Sequence, residues 1–201
     1  MVVMELSEQE PAEQEPSEQS QSPSESLPPL RTIGVVRTEY HEPESTPIQA
    51  AVSRAELGTV ELYEEYREGL DGLAEFDYAW LITWLHNPGD PTATPAMRQV
   101  PFLLRPQQRR VGVFASRGPR RVNRIGLSLV EIERVSVTGF SFAGVDLLDG
   151  TPVLDVKPYV TRFDRPSDET DLRCGWFDTI PIANGSTPSK LGRRPDEPHA
   201  G

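Results

Sequence analysis

Cysteine is almost absent from this 201-residue chain. Cys174 stands alone, which excludes an internal disulfide and any zinc site built from several thiolates. Histidine is nearly as scarce, with only His41, His86 and His199, so no histidine metal cluster is expected. Long apolar runs are missing too. Tyr78 to Leu85 is the most apolar stretch, and at eight residues it is far too short to cross a bilayer. The opening MVVMELSEQE lacks the basic start and apolar core of a secretory signal. The expectation is a soluble, cytoplasmic chain with no metal and no membrane partner.

Positive charge is the next shortage. The chain has 20 Lys and Arg against 31 Asp and Glu, a net of −11, which argues against a general polyanion binder because phosphate affinity comes from clustered cations. The acidity is concentrated, however. Residues 1–30 hold seven Glu, no cation and no aromatic residue, so residues 31–201 carry 20 cations against 24 acids. That first segment cannot bury enough apolar surface to offset the entropy of ordering and reads as a disordered acidic tail. Residues 181–201, with four Pro and three Gly, read as a second tail. Between them, residues 31–180 form one domain of ordinary size.

Within the domain, short β-branched runs recur. Thr32 to Arg37, Gly58 to Tyr63, Val135 to Phe142 and Val153 to Val156 read as strands, and Asp77 to His86 and Val111 to Ala115 as buried ones. Glu64 to Phe76 has helical spacing broken by Gly69 and Gly72, which fits one or two short helical turns. Alternation from Leu127 to Ile132 changes phase once, the signature of a bulge. Asn87 to Arg110, rich in Pro and Arg, reads as an excursion loop. The pattern predicts a mainly β fold, a closed or partly closed small barrel with a few short helices. No Gly-rich loop links a strand to a helix, so a Rossmann cofactor site is not supported.

Two segments stand out chemically. From Arg105 to Arg124 there are seven Arg and no acid, a local anion site on charge alone, with Arg120, Arg121 and Arg124 as candidate phosphate contacts. A solvated loop whose arginines pair with acids elsewhere is the bland alternative. The second segment runs from Asp146 to Tyr159 and interleaves three Asp and one Lys with apolar residues. Asp149-Gly150 taken alone signals a tight hairpin turn. Asp146 and Asp155 lie outside that turn, and acids at half-buried positions need partners. A lone His86 after an apolar strand is most simply a hydrogen-bonded strand end. Tyr78, Trp80 and Trp84 alternate on one face and are assigned to core packing, and Cys174 is given no role.

Together these segments carry a resemblance. Gly112-Val113-Phe114-Ala115-Ser116-Arg117 through Ile125-Gly126-Leu127-Ser128, followed by Asp146 through Asp149-Gly150-Thr151-Pro152-Val153-Leu154-Asp155-Val156-Lys157-Pro158-Tyr159, resembles the paired motifs of the TrmO or TsaA-like family of S-adenosylmethionine-dependent methyltransferases. The likeness extends from Ile33-Gly34-Val35-Val36-Arg37-Thr38 through the loop Thr46-Pro47-Ile48-Gln49, the turn Gly69 to Leu73, and Phe76 to His86.

The resemblance implies a TsaA-like β-barrel that dimerises, binds S-adenosyl-L-methionine, and methylates the threonylcarbamoyl-modified adenosine beside the anticodon of tRNA. It implies cofactor contacts at Pro47, Ile48 and Gln49, at His86 and Asn87, at Arg117 and Leu127, and at Leu147, Leu148, Asp149 and Gly150, with Asp146 beside them. No catalytic base is identified. The chain departs from the family pattern at Ile48, where a basic residue is usual, at Gly118 for Ser, at Val122 and Arg124 for two Pro, and at Tyr78 for His. A short Pro-rich tail stands where better-known members carry an extension. Two other readings stay open: a cofactor-binding protein with a small-molecule acceptor or a sensor role, and an adaptor acting through its acidic tail.

Overall fold

A computed structural model describes residues 29–86, 95–166 and 172–182. The expected tails, apart from residues 29–30 and 181–182, lie outside these residues, as does Asn87. Eight strands occur in the described residues: β1 (Gly34–Arg37), β2 (Leu57–Leu62), β3 (Tyr78–Trp84), β4 (Arg98–Gln99), β5 (Val111–Gly112), β6 (Ile125–Val135), β7 (Gly139–Ala143) and β8 (Pro152–Pro158). Six of them close a ring in the order β1-β2-β7-β6-β3-β8, and every neighbouring pair is antiparallel. The mainly β class is borne out. A one-turn helix α1 (Thr161–Asp164) and short 3-10 turns, including Glu64–Leu70 and Leu73–Glu75, are the helical elements described.

Period-two alternation drives this arrangement. On β3, Ala79, Leu81 and Thr83 are fully buried and point inward, so Tyr78, Trp80, Ile82 and Trp84 point outward. The aromatic face assigned to the core is therefore on the outside. Aromatic bulk is a weak guide to facing: on β7 the aromatic alternates Phe140 and Phe142 fill the interior, whereas on β3 the smaller Ala79, Leu81 and Thr83 do. Val36, Val60, Leu81, Val130, Phe140, Phe142 and Val153 form the centre of the core. Burying each such side chain is worth about 1.5–3 kcal/mol.

Two features shape the barrel where it matters. The alternation of β6 runs unbroken past Leu129 and Val130, where a bulge was expected, because Leu127 and Leu129 are outward apolar residues; the register irregularity lies further on, between Ile132 and Arg134, and residues 125–131 pair with β3 and residues 131–135 with β7. Gly139 sits so close to the Val60 carbonyl that a Cβ there would collide with it, so the β2–β7 contact requires glycine.

Other expectations need correction. Val111 to Ala115 is not a barrel strand. Only Val111–Gly112 is extended, pairing with β4 outside the barrel, and Val113–Ala115 is a 3-10 turn. Asp149-Gly150 does turn, with Gly150 at φ +74°, but β7 and β8 are not neighbours, so it is no hairpin. Residues 144–151 instead cross one end of the barrel. Their backbone is bonded to Glu56, Tyr40 and Val36, and Val145 and Leu147 plug the core.

A second apolar cluster lies apart from the barrel core. Leu103, Leu104 and Trp176 are buried together, with Ile48, Val111, Phe177 and Ile180 packed on them. It ties residues 172–182 to the excursion after β3.

Candidate functional site

One end of the barrel collects the C-terminal ends of β1, β3 and β7 and the N-terminal ends of β2, β6 and β8. Segments far apart in sequence meet here because antiparallel closure brings alternate strand ends to the same rim. β7 stops at Ala143, opposite Glu131, so the first part of β6 has no strand on that side. Asp146 occupies the vacated flank. It lies between Val145 and Leu147, whose side chains are buried in the core, and its carboxylate meets β6 at Ser128.

That carboxylate is held from two sides. Ser128 Oγ donates to Oδ1 at 2.7 Å, and the Ala50 backbone N–H donates to Oδ2 at 3.0 Å. Burial raises the Asp146 carboxyl above the usual carboxylate range, opposed by these two hydrogen bonds and by the charge of Arg117. Arg117 itself donates from Nε to Gln49 Oε1 at 2.5 Å. Gln49, Arg117 and Asp146 are thus brought together from the β1–β2 loop, the β5–β6 loop and the β7–β8 loop. They line a groove of about 140 Å³ with Ala50, Arg54, Ser128 and Gly144, and its outer part is walled by Tyr78, Trp80, Leu129 and Glu131.

A second group gathers on the adjoining rim. Thr151 Oγ1 donates to the Leu148 carbonyl at 2.7 Å and lies 3.4 Å from His86 Nδ1. The Thr38 N–H donates to Asp149 Oδ1 at 3.2 Å and Thr38 Oγ1 to the Leu147 carbonyl at 3.1 Å. The Asp149 and Gly150 N–H groups donate to the Tyr40 and Val36 carbonyls. His86 and Leu147 to Gly150 therefore form one rigid rim beside Asp146. Leu127 is different: it points outward on β6, half exposed, directly across from Ile82.

The arginine loop does not present one uniform basic face. Arg121 Nη1 donates to the Val113 and Ser116 carbonyls at 3.0 and 2.8 Å, fastening the loop to itself. Arg124 adopts φ +50° and its carbonyl accepts from the Leu85 N–H. Arg120 is exposed, and its carbonyl accepts from Gln99 Nε2 at 2.6 Å. Arg105 is buried, its guanidinium 4.1 Å from the centre of the Phe102 ring. Asp155 pairs with Lys157 at 3.0 Å on the outer surface, away from the groove.

Sequence reasoning passed over Ser128, Arg54 and Trp176. Ser128 was legible in principle, as the inward alternate of Leu127. Trp176 was not: its Nε1 donates to the Ala115 carbonyl at 2.7 Å, and it packs in the cluster that holds Ile48. One indole thus braces both limbs of the Gln49–Arg117 contact. Among the described residues no group of His, Cys, Asp and Glu is arranged to hold a metal ion, and no helix is long and apolar enough to cross a membrane.

Among the described residues, a closed antiparallel barrel carries a groove that runs from its loop-bearing end, at Gln49, Arg117 and Asp146, along β3 and β6, and this combination defines a ligand-binding β-barrel. The chain belongs to the TrmO family: the tRNA-methyltransferase O N-terminal domain matches residues 35–165. It is 36% identical to a "probable S-adenosyl-L-methionine-binding protein" of Pyrococcus abyssi over 74% of this chain and 75% of that one. It is 32% identical to the human tRNA (adenine(37)-N6)-methyltransferase over 68% of this chain but only 31% of the human protein. The crystal structure of TrmO from Pseudomonas aeruginosa superposes with a TM-score of 0.62 at 33% identity, covering 78% of this chain and 65% of that one. The chain thus spans about two thirds of the solved relative and a third of the human one.

Proposed function

We propose that this chain binds S-adenosyl-L-methionine in the groove and its adjoining rim and transfers the methyl group to an adenine of tRNA. The observation that carries this is the half-buried Asp146 carboxylate, hydrogen-bonded to Ser128 and the Ala50 N–H and lining a groove shared with Arg117, inside the segment that matches the family. The donor set suits the cofactor. A carboxylate stabilises a cationic sulfonium or ammonium, and a guanidinium pairs with a carboxylate. Arg117, Gln49 and Asp146 would hold the amino-acid portion, and His86 with Leu147 to Gly150 the rest; Pro47, Ile48 and Leu127 complete the set that the family likeness suggests.

The bound cofactor supplies an activated methyl group. What the protein contributes is alignment, which can remove roughly 7–11 kcal/mol of the barrier to a displacement between oriented partners. Ser128 and the Ala50 N–H fix the Asp146 carboxylate, and Trp176 and Ile48 hold the loops that carry Arg117 and Gln49. The exposed Arg120 is the phosphate contact this reading favours.

We also propose that the protein works as a cytoplasmic homodimer. A groove of about 140 Å³ is well below the roughly 300–1,000 Å³ of sites that enclose a small molecule, which favours a second copy closing it. Size-exclusion chromatography with light scattering tests this.

The direct experiment is incubation with labelled S-adenosylmethionine and tRNA from cells lacking the gene, followed by nucleoside mass spectrometry. A methylated adenosine is expected, and calorimetry showing no cofactor binding at millimolar concentration overturns the reading. One observation favours a second reading, a cofactor-binding protein with a small-molecule acceptor: Arg121 is turned onto its own loop instead of outward. Salt separates the two, since RNA binding weakens steeply with ionic strength and with Arg120→Ala, whereas small-molecule turnover ignores both.

A further inference from the structure

The groove has two chemically different ends. One is the Gln49, Arg117 and Asp146 end just described. The other is built from the outward residues of β3 and β6 and from the turn after Gln49. Tyr78 and Trp80 are consecutive outward positions on β3, and Glu131 lies directly across from Tyr78, accepting a hydrogen bond from its hydroxyl at 3.2 Å. Tyr159 braces both rings in near-perpendicular contacts, with centroids 6.4 Å from Tyr78 and 6.0 Å from Trp80. Arg54 lines the same groove, and its charge acts on the Tyr78 hydroxyl.

We propose that this aromatic end seats the planar base of the methyl acceptor, stacked against Trp80 and Tyr78, with Glu131 and Arg54 meeting the donors and acceptors of the base edge. The inference rests on the methyltransferase reading above and names the acceptor half of the same groove. Three observations carry it. Large aromatic side chains placed on the outside of a barrel, within a groove, have no role in the core that Ala79 and Leu81 already fill. A carboxylate bonded to Tyr78 and a guanidinium lining the same groove as the aromatic rings match the mixed hydrogen-bonding edge of a nucleobase and suit neither a lipid nor an inorganic anion. Finally, the polar end continues through Asp146 directly into Leu147 to Gly150 on the rim, so a donor lying along that path leaves the aromatic end vacant for its reaction partner.

The test uses the full chain and a fluorescent anticodon stem-loop RNA carrying adenine at position 37. RNA binding is read by anisotropy with S-adenosylhomocysteine present, and S-adenosylmethionine binding by calorimetry. Stacking on an aromatic side chain corresponds to an affinity change of roughly 5- to 150-fold. Trp80→Ala and Tyr78→Leu are each expected to weaken RNA binding within that range, with the salt dependence unchanged and cofactor affinity within twofold of wild type. Trp80→Phe is expected to retain most of the affinity, and Trp84→Ala, outward on the same strand but outside the groove, is expected to have no effect. An RNA abasic at position 37 should bind wild type and Trp80→Ala equally.

The proposal is overturned if Trp80→Ala weakens cofactor binding as much as RNA binding, which would put the donor's own adenine there. It is also overturned if Trp80→Ala leaves RNA binding unchanged, or if Trp84→Ala matches it. Wild-type protein that binds cofactor but no RNA at low salt overturns the tRNA reading itself, and this proposal with it. Thermal unfolding of each variant identifies any that fail to fold, in which case Trp80→Phe against the abasic RNA decides.

Discussion

Trp176 offers the sharpest test of how the groove is held. It is 9% exposed, donates to the Ala115 carbonyl, and packs with Leu103 and Leu104 against Ile48. Replacing a buried Trp with Ala costs about 3–5 kcal/mol, and loss of one neutral hydrogen bond about 0.5–1.5 kcal/mol. The cluster that bears this loss shares no residue with the barrel core, so the cost falls on the docking of residues 172–182 and on the loops at Ile48 and Ala115. Gln49 and Arg117, one and two residues further along those loops, then lose their brace. Trp176→Ala is therefore expected to raise the Kd for S-adenosylmethionine tenfold or more, about 1.4 kcal/mol, while shifting the barrel's thermal midpoint by only a few degrees. Trp176→Phe keeps most of the apolar contact and loses the donor, so a shift of about two- to tenfold is expected. Calorimetric titration gives the affinities, and circular dichroism on heating follows the barrel. Wild-type affinity in Trp176→Ala refutes the bracing argument, and so does a single cooperative collapse of the whole domain.

Asp146 makes a prediction in pH. Because burial raises its native pKa above the unfolded value, its contribution to stability is fully present below the ordinary carboxylate range and declines as pH rises through the native pKa. A cationic ligand reverses this preference by favouring the ionised form, so S-adenosylmethionine affinity should rise over the same interval in calorimetry, and Asp146→Asn should abolish that rise. Gly139→Ala should destabilise by about 1–3 kcal/mol or more in urea unfolding, since the new methyl meets the Val60 carbonyl and a backbone contact cannot yield as a side chain can. Thr83 is fully buried on β3 and its hydroxyl has no hydrogen-bond partner, so Thr83→Val should stabilise by about 1 kcal/mol in the same assay.

Much of the barrel was legible because a strand's period is local. β1, β2, β7 and β8 fall close to their β-branched runs, whereas the slip in alternation at Leu129 and Val130 marks two outward leucines and not the irregularity of β6, which lies between Ile132 and Arg134. Facing was less legible. The inward residues of β3 are Ala79, Leu81 and Thr83, less bulky than the aromatic residues between them, so size misled: Phe140 and Phe142 of β7 already occupy the interior, and small neighbours on β3 make room for them. Val111 to Ala115 failed for a related reason: an apolar run records burial, and here the burying surface is partly the Trp176 cluster.

The sequence by itself determined that the acidity is concentrated in residues 1–30, that residues 31–180 are mainly β, and that Gly112 to Ser128 and Asp146 to Tyr159 carry the family's motifs. These are properties of composition and short-range order, which each segment carries wherever it lies. Only the tertiary structure decided that Asp146 meets Ser128 and the Ala50 N–H, that Gln49 meets Arg117, that Arg121 folds back on its loop, and that Trp176 braces the groove from outside the barrel. Each of these contacts except that of Arg121 joins segments separated by a strand or more, and their meeting depends on ring closure and on where β7 stops, which no single stretch of the chain encodes.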